Sequence, residues 1–568
     1  MDQPDPRLVP RGQALVARPR STPEGHLMSS EQPRALVYLH GRSPWSILPA
    51  LCLGFFMIMV DTTIVNIAIP SLVTAFDADL TAVGWVNSAY LLTFATLLLV
   101  TGRLGDRFGP RPVFVVGLVI FTVTSLLCGL SGSIEMLIVA RALQGVGAAL
   151  MTPQTMSMIT RVFPPQKRGA AMGLWGAVAG VATITGPVLG GLLVQTVGWE
   201  WIFYVNIPVG VVALVLALRT LPTLPTANRS FDGLGVLLSV VGMFLVVFGL
   251  QEGATYDWGT ITGPITVWGV IGAGVIVLVG FVLWQRHRGS DALLPLTLFH
   301  SRNFSLSNVA GGAVTFAMIG IFFPFTLFLQ EVLGLSPLNA ALVGLPGSLL
   351  SGVVAPFAGR LSDKVAGKWV VASGFAILSV AITWLALAVQ PDAPVWHLVL
   401  PMTLFGIGTG ALFSPLANLA TSGLDGRTAG AGAGAFNTTR QIGGVIGSAA
   451  IVAMLTSRLA VTIPAAAEAA ADQVPEQFRQ SFVDGFASGN FASGAAPQLP
   501  SSVPADVAAQ IGQVAQQAVH SGFATAVTQT MLLTVAVLVL GLVSSLAMKG
   551  GRPVHHAPAA VAKVTAEV

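Results

Sequence analysis

Long uncharged apolar runs alternate along the chain with short breaks rich in Gly, Pro and basic residues. A helix that crosses the hydrocarbon layer needs about 20 mostly apolar residues, which makes run length the first thing to read. Fourteen spans are predicted, at 45–70, 82–101, 112–131, 134–154, 170–196, 201–221, 233–251, 261–284, 304–329, 338–359, 369–389, 396–419, 430–456 and 525–548. A single long connection, 457–524, expected on the extracytoplasmic side, is rich in Ala, Gln, Ser and Pro, and its QFRQSFVDGF pattern predicts short helices lying on a surface.

Two stretches repeat at an offset of 257 residues. GRLGDRFGPR (Gly102 to Arg111) follows span 2, and GRLSDKVAGK (Gly359 to Lys368) follows span 10; the offset pairs Asp106 with Asp363. The same shift lays TGPVLGG (Thr185 to Gly191) on IGGVIGS (Ile442 to Ser448). The predicted fold is therefore an all-α membrane protein of 14 transmembrane helices, two six-helix pseudo-repeat halves with two helices inserted between them. Its expected parts are a disordered tail 1–43, an N-terminal half 44–222, an inserted pair 233–284, a C-terminal half 304–548 that includes the connection 457–524, and a tail 549–568. Parallel halves are the plan of transporters that expose a midplane site alternately to each side, a need that channels and receptors do not share.

Composition sharpens this. Charged residues make up only 9% of the 568 residues and apolar ones 54%, which excludes an ordinary soluble domain. With the N-terminus inside, 24 of the 28 Lys and Arg fall in the tails and the loops of one face, so both termini are expected in the cytoplasm. Residues 1–43 lack the apolar core of a signal peptide, and their LVPRG string (Leu8 to Gly12) resembles a protease tag. Cys52 and Cys128 lie inside apolar runs and form no disulfide or thiolate-metal framework. No GxxxxGK[ST] nucleotide loop occurs, so the energy is expected from a gradient.

Three ionisable residues fall well inside the predicted hydrocarbon layer: Asp61, Arg141 and Arg440. Each costs about 2.5–3.5 kcal/mol at mid-membrane and so is expected to face a partner or a wet cavity. An acid whose cationic partner comes and goes can take up and release a proton, which points to Asp61 and Arg141 as proton-coupling residues; a static ion pair is the plainer reading. Arg440, with Asn437 and Gln441, is expected either to line a substrate cavity or to pack a helix end, and Asn66 and Gln144 join the expected cavity. Trp85, Tyr90, Met151, Trp175, Phe316, Phe322 and Phe323 are its candidate apolar wall. Gly102, Arg103, Gly105, Asp106, Arg107, Gly109, Arg111 and Asp363 form the expected cytoplasmic gate, with the glycines making a turn and Asp106 capping span 3 or pairing with a neighbouring Arg. Span 5 carries Gly176, Gly180, Gly186, Pro187 and Gly190, where either tight packing or gating accounts for the small residues.

GRLGDRFGPR, RALQGVGAA, GPVLGG, VDTTIVNIAIP and GWEWIFYVNIP, in that order, resemble the 14-helix drug:proton antiporters of the major facilitator superfamily over about residues 45–550. The resemblance implies a multi-pass protein of the bacterial inner membrane that exports lipophilic, often cationic compounds in exchange for protons. It links Gly102 to Arg111 with gating, Arg141, Gln144 and Gly145 with proton transfer, Gly176, Gly180, Gly186, Pro187 and Gly190 with export, and Asp61, Thr62 and Asn66 with the family's first helix. The second half departs from several such exporters in carrying no membrane acid, which argues against dications as substrates. The expected partners are a lipophilic small molecule, protons and the bilayer. Nucleic acid, metal, organic cofactor and catalysis are not expected, and the chain is expected to act as a monomer. An uptake symporter or a dedicated lipid or metabolite exporter of the same fold are the alternatives.

Overall fold

A computed structural model describes residues 43–549 except 79, 227–231, 254, 290–291, 423, 425–427 and 488–504. Both expected tails, apart from Ser43 and Lys549 at their inner ends, and the middle of the 457–524 connection lie outside the described residues. The helices are α1 Leu48–Phe76, α2 Leu80–Phe108, α3 Pro110–Gly129, α4 Ile134–Val162 and α5 Pro165–Thr196. A single turn, Trp201–Tyr204, leads into α6 Asn206–Thr220, followed by α7 Gly233–Glu252 and α8 Val267–Arg288. A small hairpin, β1 Thr260–Thr262 with β2 Ile265–Thr266, joins those last two. Then come α9 Arg302–Leu327, α10 Leu345–Lys364, α11 Gly367–Ala388, α12 Val395–Thr421, α13 Ala429–Ala470 and α14 Ala505–Leu546.

Packing repeats eight helices on. α1 packs on α5 and α6, α2 on α4, and α3 on α4 and α6; α9 packs on α13 and α14, α10 on α12, and α11 on α12 and α14. The two sets meet along two seams, α5 against α10 and α2 against α13. The pair α7 and α8 pack on each other, and α7 lies across α2 and α13. Apolar side chains such as Ile276 and Leu387 point outward, as they must where the solvent is lipid and the backbone is satisfied within each helix.

Among the described residues, thirteen helices are long and apolar enough to cross a membrane. The tenth predicted span is the exception. Its helix α10 is present, but Ser, Gly and Pro thin its apolar content and Arg360, Asp363 and Lys364 close it. Several boundaries also differ from expectation, α4 for one running to Val162 rather than 154. Gly102 and Gly105 do not make a turn, because α2 continues through them to Phe108; the turn falls at Gly109, whose φ of +90° suits a residue without a β-carbon. α13 and α14 run for 42 residues each, roughly twice the hydrocarbon thickness at about 1.5 Å per residue. Their overshoot packs with the short helix Glu476–Ala487 around Ile463, Phe482, Phe486 and Ile511, so the described part of the 457–524 connection is mostly helix.

Candidate functional site

α1, α3, α4 and α6 bring together one buried polar cluster. Asp61 and Arg141 are fully buried, with Arg141 Nη1 2.5 Å from Asp61 Oδ2. The same nitrogen donates to Gln144 Oε1 at 2.7 Å, and Gln144 Nε2 donates to Asp61 Oδ1 at 3.0 Å. Arg141 Nε donates to the Val86 carbonyl of α2 at 3.1 Å, and its guanidinium lies 4.2 Å from the centre of the Tyr90 ring. Asn206, at the first position of α6, donates to Asp61 Oδ1 at 3.3 Å and to Ser125 Oγ at 3.1 Å. In so dry a site the charges are held by one another, and removing one partner of such a pair costs about 3–5 kcal/mol. Arg141 Nη2 still has no hydrogen-bond partner among the described residues, so the cluster is not fully satisfied.

Apart from this cluster, a cavity of about 230 Å³ opens between the two sets of helices. Its wall is aromatic and thioether-rich: Phe55 stacks on Trp175 with ring centres 4.2 Å apart, and Met59, Met318, Phe322, Phe405 and Phe413 continue it. Asn437, Arg440 and Gln441 line it, as do Gly176 and Gly180 of α5. Asn66 and Gln144 do not. Asn66 is exposed and accepts from Asn87 Nδ2 at 2.6 Å, while Gln144 belongs to the Asp61 cluster. Of the candidate wall residues, Trp175 and Phe322 line the cavity and Trp85, Tyr90, Met151, Phe316 and Phe323 do not.

At the basic ends of the two seams the repeated aspartates do matching work. Asp106 Oδ1 and Oδ2 accept from the backbone N–H groups of Gly430 and Ala431 at 2.9 and 2.8 Å, at the start of α13. Asp363 Oδ1 and Oδ2 accept from Gly169 and Ala170 at 2.9 and 3.1 Å, in the first turns of α5. Both carboxylates reach backbone amides across the seam near the start of a helix. Only those that Asp106 meets are among the free N–H groups of a helix N-terminus, where the dipole also favours an anion; Gly169 and Ala170 lie in the second turn of α5. Of the two roles expected for Asp106, capping α3 or pairing with a neighbouring Arg, the first does not occur: the residue before that helix is Gly109, and no side chain caps it. The intervening glycines permit the approach, since a β-carbon on Gly102 would sit 2.9 Å from Gly434 Cα. Arg103 is buried beside them, Arg107 is exposed against Phe108, and Arg111 donates to the Leu218 carbonyl at 2.8 Å.

α5 is shared between the partners. Gly186 and Gly190, flanking Pro187, lie against Thr63 and Ile64 of α1, whereas a β-carbon on Gly180 would sit 3.1 Å from the backbone of Ser348 and Gly352 on α10. Sequence reasoning missed Asn206 as a member of the Asp61 cluster, although it stands in GWEWIFYVNIP as the one amide in an apolar stretch. It also missed the amides of Gly430, Ala431, Gly169 and Ala170, because a backbone donor carries no residue-type signal.

The family described as Major Facilitator Superfamily matches residues 51–448. The chain is 47% identical over 423 residues to an uncharacterised MFS-type transporter of Mycobacterium tuberculosis, covering 74% of this chain and 72% of that protein. It is 35% identical over 428 residues to the tetracenomycin C resistance and export protein of Streptomyces glaucescens, covering 75% and 78%. Among solved structures, the MFS proton:xylose symporter XylE superimposes with a TM-score of 0.52 at 15% identity, covering 71% of this chain and 87% of that one, a likeness of fold alone.

Proposed function

The chain belongs to the major facilitator superfamily, and we propose that it is a proton-coupled secondary transporter that exports lipophilic or amphipathic small molecules by alternating access. The two six-helix sets act as the rocking halves, the basic face is cytoplasmic, and the protein works as a monomer in the bacterial inner membrane. A relative named for resistance and export supports the direction of transport. The observation that carries the coupling is the buried Asp61–Arg141 pair, tied to helices α1, α2, α3, α4 and α6 and left with one unsatisfied guanidinium nitrogen. A pair so placed changes its protonation when the helices that supply its partners move, whereas a purely static brace has no reason to leave a donor unmet. Asp106 and Asp363 hold the cytoplasmic ends of the seams closed, and the aromatic cavity holds the cargo.

The test is proton flux in inside-out vesicles with an acidified interior. Cargo entering the lumen in exchange for protons makes the lumen more alkaline, and Asp61→Asn is expected to abolish that response in protein that is still inserted. Undiminished flux in the variant would remove Asp61 from the coupling role.

A further inference from the structure

We infer that the central cavity takes amphipathic anions, compounds with a planar aromatic body and a single carboxylate or phenolate, with Arg440 meeting the anionic group. The inference rests on the transport reading of this cavity and names its cargo. The lining contains no Asp or Glu, and its one ionisable side chain is Arg440. Asp61 does not line the cavity, and its charge is matched by that of Arg141. Arg440 has no carboxylate within ion-pair distance among the described residues. Its guanidinium instead lies over the faces of Phe413 and Phe436, at 4.8 and 5.8 Å from the ring centres.

Those ring contacts explain how the cation is tolerated without supplying what it lacks. A guanidinium carries five N–H donors in a fork that matches a carboxylate, and ring faces accept none of them in that geometry. A second uncommitted donor lies on the same wall: Trp175 Nε1 is buried with no acceptor among the described residues. The hydroxyls of Thr152, Thr315 and Thr409 donate to the carbonyls of Ala148, Arg440 and Phe405, and among the described residues the Arg440 guanidinium donates to none of them. A cargo that brings an acceptor group carrying negative charge satisfies Arg440, and its aromatic body fits against the Phe55–Trp175 stack. A cationic cargo meets a like charge with no acid to offset it. This reverses the cationic preference that the family resemblance implies.

The experiment uses the purified full chain and one fluorophore, the dansyl group, in three versions with a carboxylate, its methyl ester, or a quaternary ammonium. Binding is read at equilibrium, without any gradient, from dansyl fluorescence at pH 7, so it reports on the inference even where transport fails. The carboxylate is expected to bind about 10-fold or more tighter than the ester, the difference one charged hydrogen bond makes, and the ammonium weakest. Arg440→Gln, which keeps the stem that packs on Gly311, is expected to bring acid and ester to parity, and Arg440→Lys to retain part of the preference. Equal or weaker binding of the carboxylate in the unmodified protein, an acid preference that survives Arg440→Gln, or no binding of any probe overturns the inference. Intact binding preference with no proton-driven uptake of the carboxylate would instead remove the transport reading and leave the anion site standing.

Discussion

The two aspartate latches differ in burial, and that difference predicts unequal costs on breaking them. Asp106 is only 2% exposed, and both its oxygens accept backbone N–H bonds from the start of α13. In Asp106→Asn one oxygen remains as acceptor, while the new amide group faces a backbone N–H, donor against donor. The loss is one charge-assisted hydrogen bond, about 1.5–3 kcal/mol, plus the interaction of a full charge with the helix dipole, about 0.3–1 kcal/mol. Together these destabilise the closed seam by about 2–4 kcal/mol, equivalent to a shift of about 30- to 700-fold toward the open arrangement. Asp363 is half-buried, so water replaces much of what Asp363→Asn removes, and about 1 kcal/mol or fivefold is expected there.

A cysteine at Leu98 reads this out. The side chain is 1% exposed, lines the cavity, and belongs to the stretch of α2 whose carbonyls lie against Gly434, so opening the α2–α13 seam uncovers it. With Cys52 and Cys128 replaced by Ala, a membrane-impermeant maleimide applied to the cytoplasmic face should label Leu98→Cys far faster in Asp106→Asn than in Asp363→Asn. Turnover should fall in the same order while cargo affinity holds. Labelling that is unaltered by Asp106→Asn, or that rises as much with Asp363→Asn, would refute the assignment of the seams to a burial-weighted pair of latches.

Three further outcomes follow from the same geometry. Asp61→Asn leaves a buried guanidinium unpaired and should lower thermal stability by about 3–5 kcal/mol, and adding Arg141→Gln should restore part of it, measured by denaturation in detergent. Asp232, capping α7 just outside the membrane span, is opposed by burial but accepts from Trp284 Nε1, Gln285 Nε2 and the Gly235 and Leu293 amides, which together hold its carboxyl below the usual range. A depressed folded value means that its stabilisation is present above the unfolded pKa of about 3.9 and is lost as pH falls through the folded one, so Asp232→Asn should flatten the acid limb of a stability–pH curve; an unchanged limb sinks that account. Exchanging a monoanion for a proton moves one more charge than exchanging a neutral cargo, so carboxylate export should gain about 2.3 kcal/mol more drive per 100 mV than ester export, read with imposed potassium potentials.

What the sequence makes legible is whatever the bilayer forces. Span lengths, the basic face and the mid-membrane charges all follow from the cost of placing polar groups in hydrocarbon, and the helices fall where those costs put them. The bilayer also isolates Asp61 and Arg141 as residues to explain, and the structure brings their side chains to 2.5 Å. The same penalty says nothing about the gate motif, because Gly102 and Asp106 lie at the edge of the hydrocarbon, where loop and helix cost about the same. Their helical state is decided by contact with α13: a glycine at 102 lets the backbones close, which brings Asp106 to two amides that a one-dimensional reading cannot see. Asn66 shows the converse. It lies one turn on from Thr62 and makes a polar stripe with that residue, yet at about 100° per residue it stands about 140° round α1 from Asp61 and bonds to Asn87 instead. Composition thus reports which residues must find partners. Which partners they find depends on helix phase and on the repeat, and only the repeat of Asp106 at Asp363 was readable as a hint that both seams are fastened in the same way.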